Sequence, residues 1–325
     1  MSGHYNSLPY DDDVSDDDDD YEDAESGNPG ISDDEYGPQG TRRRRSSLMS
    51  GSFDGSNIKT MSSSYSSKSR MIHKIGSRGS NPGNFTWPRG VATGMGAHGR
   101  EIVVADSSNH RVQIFDHNGA FLREFGSYGS NFGQFDCLAG VAIDRLNRNY
   151  VVSDRYNHRI QIFDMAGNFV RSFGEHGRDV GKFNLPWGVA CDMSGSIYVC
   201  DKENHRIQVF DSDGKYLYKF GISGSEPGQL QHPHYIATSS GRIVVTDTNN
   251  HRVQVFDLNG RLIKIVGKEG SLGGQFKFPR GIALDGQGYI IVGDSGNNRL
   301  QIFNPDGIFV KVSCLIDLPI RDISD

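Results

Sequence analysis

No apolar run in the sequence approaches 18 residues, which excludes a helix spanning a membrane. The 41 glycines show no Gly-X-Y period, so the chain is not collagen-like. Only 4 residues are Cys, and Cys137, Cys191, Cys200 and Cys314 show neither Cys-x-x-Cys spacing nor a His-rich neighbourhood. They read as buried thiols rather than disulfides or zinc ligands, and no cofactor or metal is expected. Neither Gly-x-Ser-x-Gly, a P-loop nor His-Glu-x-x-His occurs, so no catalytic residues are nominated. Met1 to Tyr10 has no basic start and no apolar core, so the sequence reads as lacking a secretory signal and the expected location is cytoplasmic.

Charge is unevenly spread. Residues 1–70 carry 15 acidic against 7 basic side chains, whereas residues 71–325 carry 25 against 27. An acidic, Ser-rich tail over 1–70, too polar to offset its ordering entropy, is expected to be disordered. Within it, Arg42 to Arg45 precede Ser46 and Ser47 as a basophilic kinase or an import receptor would require, although a solvated linker is the plainer reading. The acidic run would also compete with nucleic acid for a basic face of the body.

From Lys74 onward the chain copies itself. SNHRVQIFDHNG, YNHRIQIFDMAG, ENHRIQVFDSDG, NNHRVQVFDLNG and GNNRLQIFNPDG place Arg at 111, 159, 206, 252 and 299, about 47 residues apart. Ahead of each lies a Gly-rich loop ending in FTWPRGVA, FDCLAGVA, FNLPWGVA, LQHPHYIA or FKFPRGIA. One copy contains four short β-rich runs, in the second copy GVAID, NYVVSD, RIQIFD and NFVRSF, and nothing reads as a helix. RIQIFD alternates, which puts Ile160 and Ile162 on a buried face and Arg159 and Gln161 on the other. Four antiparallel strands in about 45 residues make a propeller blade. Repeats are expected at about 76–125, 126–173, 174–220, 221–266 and 267–312, in a propeller domain over 71–325.

The Asn-His-Arg signature, with Ile-Gln-Ile/Val-Phe-Asp behind it and Pro-x-Gly-Val-Ala ahead, resembles the NHL repeat over roughly residues 71–312. It is most similar to the repeat domains of tripartite-motif proteins that repress messenger RNAs, which implies an all-β propeller normally of six blades. Two features depart from that pattern. The sequence shows no Cys/His-rich RING or B-box, so the ubiquitin-ligase activity of RING-bearing members is not expected. It also supplies five complete four-stranded blades plus one strand of a sixth, SRMIHKIGSRGS. A truncated, open ring is favoured over a closed five-bladed one.

Strand parity puts two loops of each blade on one upper face, lined by the residues flanking each Pro position and the residue after each repeated Asp. Trp87, Arg89, Arg155, Trp187, Lys202, His232, His234, Phe278 and Arg280 fall there. Rings next to cations suit single-stranded nucleic acid, because bases stack on the rings and Arg or Lys holds phosphates. The resemblance implies RNA contacts at these same positions. Arg89, Arg155 and Lys202 have a lesser reading as solvated charges, whereas Leu185 and Phe278 read more readily as packing for the Gly-rich loop than as surfaces for bases. His232 and His234 lack a third metal ligand. Trp187 has the least evident core to enter.

The repeated Asp106, Asp154, Asp201, Asp247 and Asp294 read as scaffold capping their loops, and each His or Arg as a bridge between blades. The expected function is therefore a non-catalytic RNA-binding propeller that reads a short messenger-RNA element and acts in post-transcriptional repression. Its expected partners are single-stranded or stem-loop RNA, with Argonaute or another repression protein as a further partner, and neither a membrane nor a small-molecule substrate. The alternative is a protein-interaction or substrate-recognition platform of a ubiquitin-ligase-type tripartite-motif protein, since Trp and Arg also dominate protein hot spots. A peptide lyase of the NHL type would need a secretory signal, disulfides and a metal-binding His set, none of which the sequence shows.

Overall fold

The computed structural model describes residues 74–97, 99–239 and 241–314. The acidic tail and Arg42 to Ser47 lie outside the described residues. Blade one comprises β1 (Pro88–Gly96), β2 (Gly99–Asp106), β3 (Arg111–Asp116) and β4 (Phe121–Phe125). Blade two follows with β5 (Leu138–Asp144), β6 (Asn149–Asp154), β7 (Arg159–Asp164) and β8 (Phe169–Phe173). Blade three has β9 (Pro186–Cys191), β10 (Ile197–Asp201), β11 (Arg206–Phe210) and β12 (Tyr216–Phe220). Blade four has β13 (Pro233–Ser239), β14 (Arg242–Asp247), β15 (Arg252–Asp257) and β16 (Leu262–Val266). Blade five has β17 (Pro279–Leu284), β18 (Ile290–Asp294), β19 (Arg299–Phe303) and β20 (Phe309–Cys314).

Each sheet pairs its four strands antiparallel in chain order, so the protein is an all-β, five-bladed propeller without an α-helix among the described residues. The strand proposed for a sixth blade falls partly on residues 71–73, outside the described set, and Lys74 and Ile75 join no ladder. A fourth strand pairs with the third strand of its own blade, and no such partner occurs for it among the described residues.

Neighbouring blades bury their apolar faces against one another. Val103, Ala105 and Ile114 of blade one pack with Leu138, Tyr150 and Phe163 of blade two, and the same contact recurs between later blades. One blade alone would leave such a face wet, which is why the repeats must stack. The second face of the third strand is buried too, contrary to simple alternation. Gln161 has no exposure, because the Gly-rich loop folds across it and Gln161 Nε2 donates to the Gln134 carbonyl at 2.6 Å and to Asp154 at 3.0 Å.

In blades one to three the inner strands approach so closely that only glycine fits two residues after the Pro position. A Cβ on Gly90 would lie 2.7 Å from the Ala139 carbonyl oxygen, on Gly140 2.5 Å from that of Trp187, and on Gly188 2.5 Å from that of His234. At Gly281 of blade five the same atom would meet nothing within 4 Å. Across that seam Val91 of β1 is 65% exposed, whereas Val141 at the equivalent place on β5 is buried. A cleft of about 470 Å³ lined by Thr93, Ile102, Leu284 and Asp285 separates blades one and five. Four junctions between the described blades are packed and the fifth is open.

That contrast is testable by urea unfolding. Gly140→Ala is expected to lose about 1 to 3 kcal/mol through overpacking, whereas Gly281→Ala stays within about 0.5 kcal/mol of the parent. Equal losses would mean that the seam is closed.

Candidate nucleic-acid interface

The upper face is built on a buried carboxylate that recurs in every blade. In blade three, Asp201 Oδ1 accepts the Asn184 N–H at 2.8 Å, while Oδ2 accepts Arg206 Nε at 2.7 Å, Asn204 Nδ2 at 2.9 Å and Gln208 Nε2 at 3.0 Å. Arg206 and Asn204 then bind carbonyls of the Gly-rich loop, namely those of Arg178, Asp179, Lys182 and Gly177. Burial pushes the Asp154 and Asp201 carboxyls up, and these donors push back. The Asp therefore holds the preceding loop rather than capping the 3-10 turn that follows, where it makes no side-chain cap bond. Arg likewise ties the loop to its own blade.

Bridging to the next blade is the work of the His. His110, His158, His205 and His251 sit at φ of 52–53° and accept at Nδ1 the N–H of Cys137, Leu185, His232 and Phe278, at 3.1–3.2 Å. The donating residues themselves lie at φ of 46–49°. Blade five, whose successor face is open, has Asn298 in place of His. An Nδ1 that accepts must be unprotonated, and burial lowers the pKa of His110, His158 and His205. His110 comes close to Asp136 and Cys137, with ligand atoms within 4.8 Å of one another. Because Nδ1 is engaged and Nε2 then carries the proton, His110 would have to surrender its inter-blade bond to ligate a metal.

Between Pro and Gly each inner strand carries a bulge. Pro88 pairs with Asp106 but Val91 with Val104, so two residues face one, and the same shift recurs in the other blades. Bulges re-aim a side chain, and the residue after Pro is the one that differs between blades: Arg89, Ala139, Trp187, His234 and Arg280.

Trp187 occupies the centre. It was expected to be a platform at a loop tip, yet it is only 1% exposed and cannot stack on a base. The core it enters is made by other blades. Arg155 lies 4.4 Å from its ring centroid, Arg89 4.8 Å and Lys202 4.9 Å, and the His234 ring meets it edge-on at 4.8 Å. Three predicted cations from three blades thus converge on the predicted indole. Arg155 and His234 are buried as well, so neither is a simple solvated surface group. Each cation–π contact contributes about 0.5 to 2 kcal/mol. Two unit charges about 8 Å apart at an effective dielectric near 20 repel by roughly 2 kcal/mol, so the contacts and the repulsion are of the same size.

The remaining predicted residues form the rim. Trp87 is 62% exposed, beside a shallow cavity of about 350 Å³ lined by Ile75, Arg78 and Phe85. Phe278 is half-buried and packs edge-on against His251 at 4.4 Å, across a blade boundary. His232 Nδ1 faces Asn249 Nδ2 at 2.9 Å and Nε2 faces Glu203 at 3.3 Å, which fits a proton on Nε2. Glu203 is held down to about 2, first by the His232 hydrogen bond and also by the Lys202 charge, against burial.

Two residues escaped the sequence reading. Tyr156, 44% exposed, carries Arg155 over its ring at 4.6 Å; an aromatic directly after that cation was its only signal. Tyr235 stands where other blades have the inner Gly, and the Arg89 and Arg280 charges act on its hydroxyl, whose pKa burial nevertheless raises.

A sequence profile described as NHL repeat matches residues 85–115, 135–163, 183–210, 230–256 and 276–303. The chain is 47% identical over 72 residues to RING finger protein nhl-1 of Caenorhabditis elegans and 40% identical over 80 residues to protein brain tumor of Drosophila melanogaster. It is 35% identical over 95 residues to human tripartite motif-containing protein 2. These matches span 22%, 24% and 27% of this chain and 7%, 7% and 12% of the relatives, so the similarity concerns a small part of each. Among solved structures, a nidogen/laminin complex aligns with a TM-score of 0.56 at 18% identity, over 70% of this chain and 80% of that one. A gluconolactonase from Xanthomonas campestris aligns at 0.53 and 17%, over 69% and 75%. Both share the propeller fold.

The His bridges generate a pH prediction. Lowered pKa values mean that the unfolded chain takes up protons first, so this contribution is complete above the unfolded His value near 6.5 and fades as pH falls below it. The raised Asp154 and Asp201 act in the opposite sense above their unfolded value near 3.9. His158→Asn, copying blade five, is expected to lose about 0.5 to 1.5 kcal/mol at pH 7.5. It should also lose less stability than the parent between pH 7 and 5. Parallel stability curves for the two proteins would rule out a pH-sensitive bridge at His158.

Proposed function

This chain carries five NHL repeats folded as five blades of a propeller, and we propose that it is a non-catalytic propeller whose upper face binds a short single-stranded or looped RNA element. The observation that carries this reading is the convergence of Arg89, Arg155 and Lys202 on the centre of one face, with exposed Trp87 and Tyr156 on the same loops. The cations supply the phosphate field, and the outer rings supply surfaces on which bases stack at about 1 to 3 kcal/mol each. Trp187 serves as the floor that positions the cations. His232, His234, Phe278 and Arg280 complete the face. Translational repression in the cytoplasm, through RNA and a repression protein of the Argonaute type, follows from the resemblance to messenger-RNA-repressing tripartite-motif proteins.

Protein docking is the competing use of the same face, favoured by the near balance of 25 acidic and 27 basic residues in the body. Salt separates the two. Single-stranded RNA held by three phosphate contacts should lose affinity with a log–log salt slope of about −2. An unbiased RNA selection on the full chain is expected to enrich one short motif. Trp87→Ala should weaken binding to that motif by roughly one stacked base, or about 1 to 3 kcal/mol, and Arg280→Ala should reduce the salt slope. Absence of enrichment from a cooperatively melting sample would count against RNA and for a protein ligand.

A further inference from the structure

The seam between blades five and one keeps both halves of an interface that the rest of the ring builds four times. Each packed junction joins a trailing face, made by the second and third strands of one blade, to a leading face on the next. On the leading side Val141, Val189 and Ile236 pack against the blade before them and are buried, and Ile282 packs against blade four. Val91, at the same place in blade one, is 65% exposed. On the trailing side Val103 and Val112, Val151 and Ile160, and Val244 and Val253 have no exposure. Their counterparts in blade five, Ile291 and Leu300, are only half-buried.

The hydrogen bond that fixes one blade on the next lacks its acceptor at the same seam. Cys137, Leu185, His232 and Phe278 each donate a backbone N–H to a His of the preceding blade. Trp87 holds their position and the same left-handed backbone, at φ 49°, but its N–H has no acceptor among the described residues and its ring is 62% exposed. Exposed apolar walls mark an interaction surface, and the repeat itself defines what covers these. It is a β-sheet with apolar residues on both faces and a His that accepts from Trp87. The inner end of the gap is the cleft of about 470 Å³ lined by Thr93 and Leu284, and Gly281 faces open space where Gly90, Gly140 and Gly188 have none. All five segments of this kind in the sequence are already folded into the ring.

We propose that the seam is a docking site for one blade-like β-sheet of another polypeptide, which completes the ring between blades five and one. The arriving sheet lays one apolar face on Ala283, Ile291 and Leu300 of blade five and the other on Val91 and Ile102 of blade one. A His after its second strand accepts the Trp87 N–H. Docking takes apolar surface on both sides of the sheet out of water at once, at about 25 cal/mol per Å², and the ordering of the arriving segment offsets part of that gain. The seam is distinct from the upper face, so this inference is independent of the RNA reading.

The probe is a synthetic peptide of residues 126–173, the second repeat of this chain, which carries both apolar faces and His158 and contains no tryptophan. It is titrated into the full chain while acrylamide quenching of tryptophan emission is followed. Trp187 is 1% exposed, so the quenchable signal is that of Trp87. Saturable shielding of Trp87, with a rise in Tm, is expected. Gly281→Ala is the deciding variant. Its Cβ meets nothing in the free chain, yet against the arriving strand it would strike the Ala139 carbonyl, as a Cβ on Gly90 would at 2.7 Å. Gly281→Ala and Val91→Lys, both expected to melt as the parent does, should each weaken docking by about tenfold or more. His158→Asn in the peptide should weaken it by about threefold, the loss of one hydrogen bond. If the peptide aggregates, the same residues are joined to Asp325 through a Gly-Ser linker and Trp87 is read in the same way. A Trp87 that stays quenchable in both formats overturns the proposal, as does equal shielding in the parent, Gly281→Ala and Val91→Lys. Shielding in the chain alone also overturns it: independent of concentration it identifies the chain's own residues as the occupant, and rising with concentration it identifies a second copy. RNA binding measured on the same samples decides the upper-face reading separately.

Discussion

Each blade depends on one buried carboxylate. Asp106, Asp154, Asp201, Asp247 and Asp294 are fully buried, and each takes an Arg Nε at 2.7–2.9 Å together with a Gln amide and a backbone N–H. Taking such an ion pair out of water is costly, and only complete hydrogen bonding makes it tolerable. Removal of one partner from such a site costs about 3 to 5 kcal/mol, because the remaining charge is stranded. What the arrangement provides is geometry. By fixing the Gly-rich loop against its own blade, the Asp sets the residue before Pro at positive φ, and that residue presents its N–H to the His of the preceding blade. The register of one blade on the next follows, and with it the convergence of loops at the axis.

Repetition and departure from repetition then divide the labour. The Asp, Asn, Arg and Gln of every blade satisfy one another, so nothing in that network is left over for a ligand. The residue after Pro and the residue after Asp are released from it by the bulge and the turn. They vary freely in chemistry, and three of the charged ones meet at Trp187 although they are far apart in sequence. A large ring in the centre keeps long cationic side chains gathered where solvent would otherwise draw them outward.

The five blades and their strands were legible because the period of the repeat and the alternation along RIQIFD are local properties of the chain. The shared face was legible from parity alone. Burial of Trp187 was not, because its pocket is formed by Arg89, Arg155 and His234, which no local pattern brings together. For the same reason Gln161 read as solvent-facing, since the loop covering it belongs to an earlier stretch of chain. The open seam was signalled in part, by five copies where the resemblance implies six, and the Asn298 that replaces His marks the same place. Tyr235 and Tyr156 were visible only as single deviations, which carry meaning once geometry shows what surrounds them.

A body with near balance of charge can still present a cationic centre, because electrostatics at a site depends on where the opposite charges are spent. Screening at physiological salt acts over about 8 Å, so groups at the periphery contribute little at the axis. Several acidic residues are engaged away from it, Glu124 with Arg111, Asp213 with Arg171, and Glu175 and Asp179 with Lys182, while Glu203 pairs with Lys202 beside it. The repeated Asp residues are committed to their own Arg partners. Arg89, Arg155, Lys202 and Arg280 therefore act on a local scale that the net charge conceals.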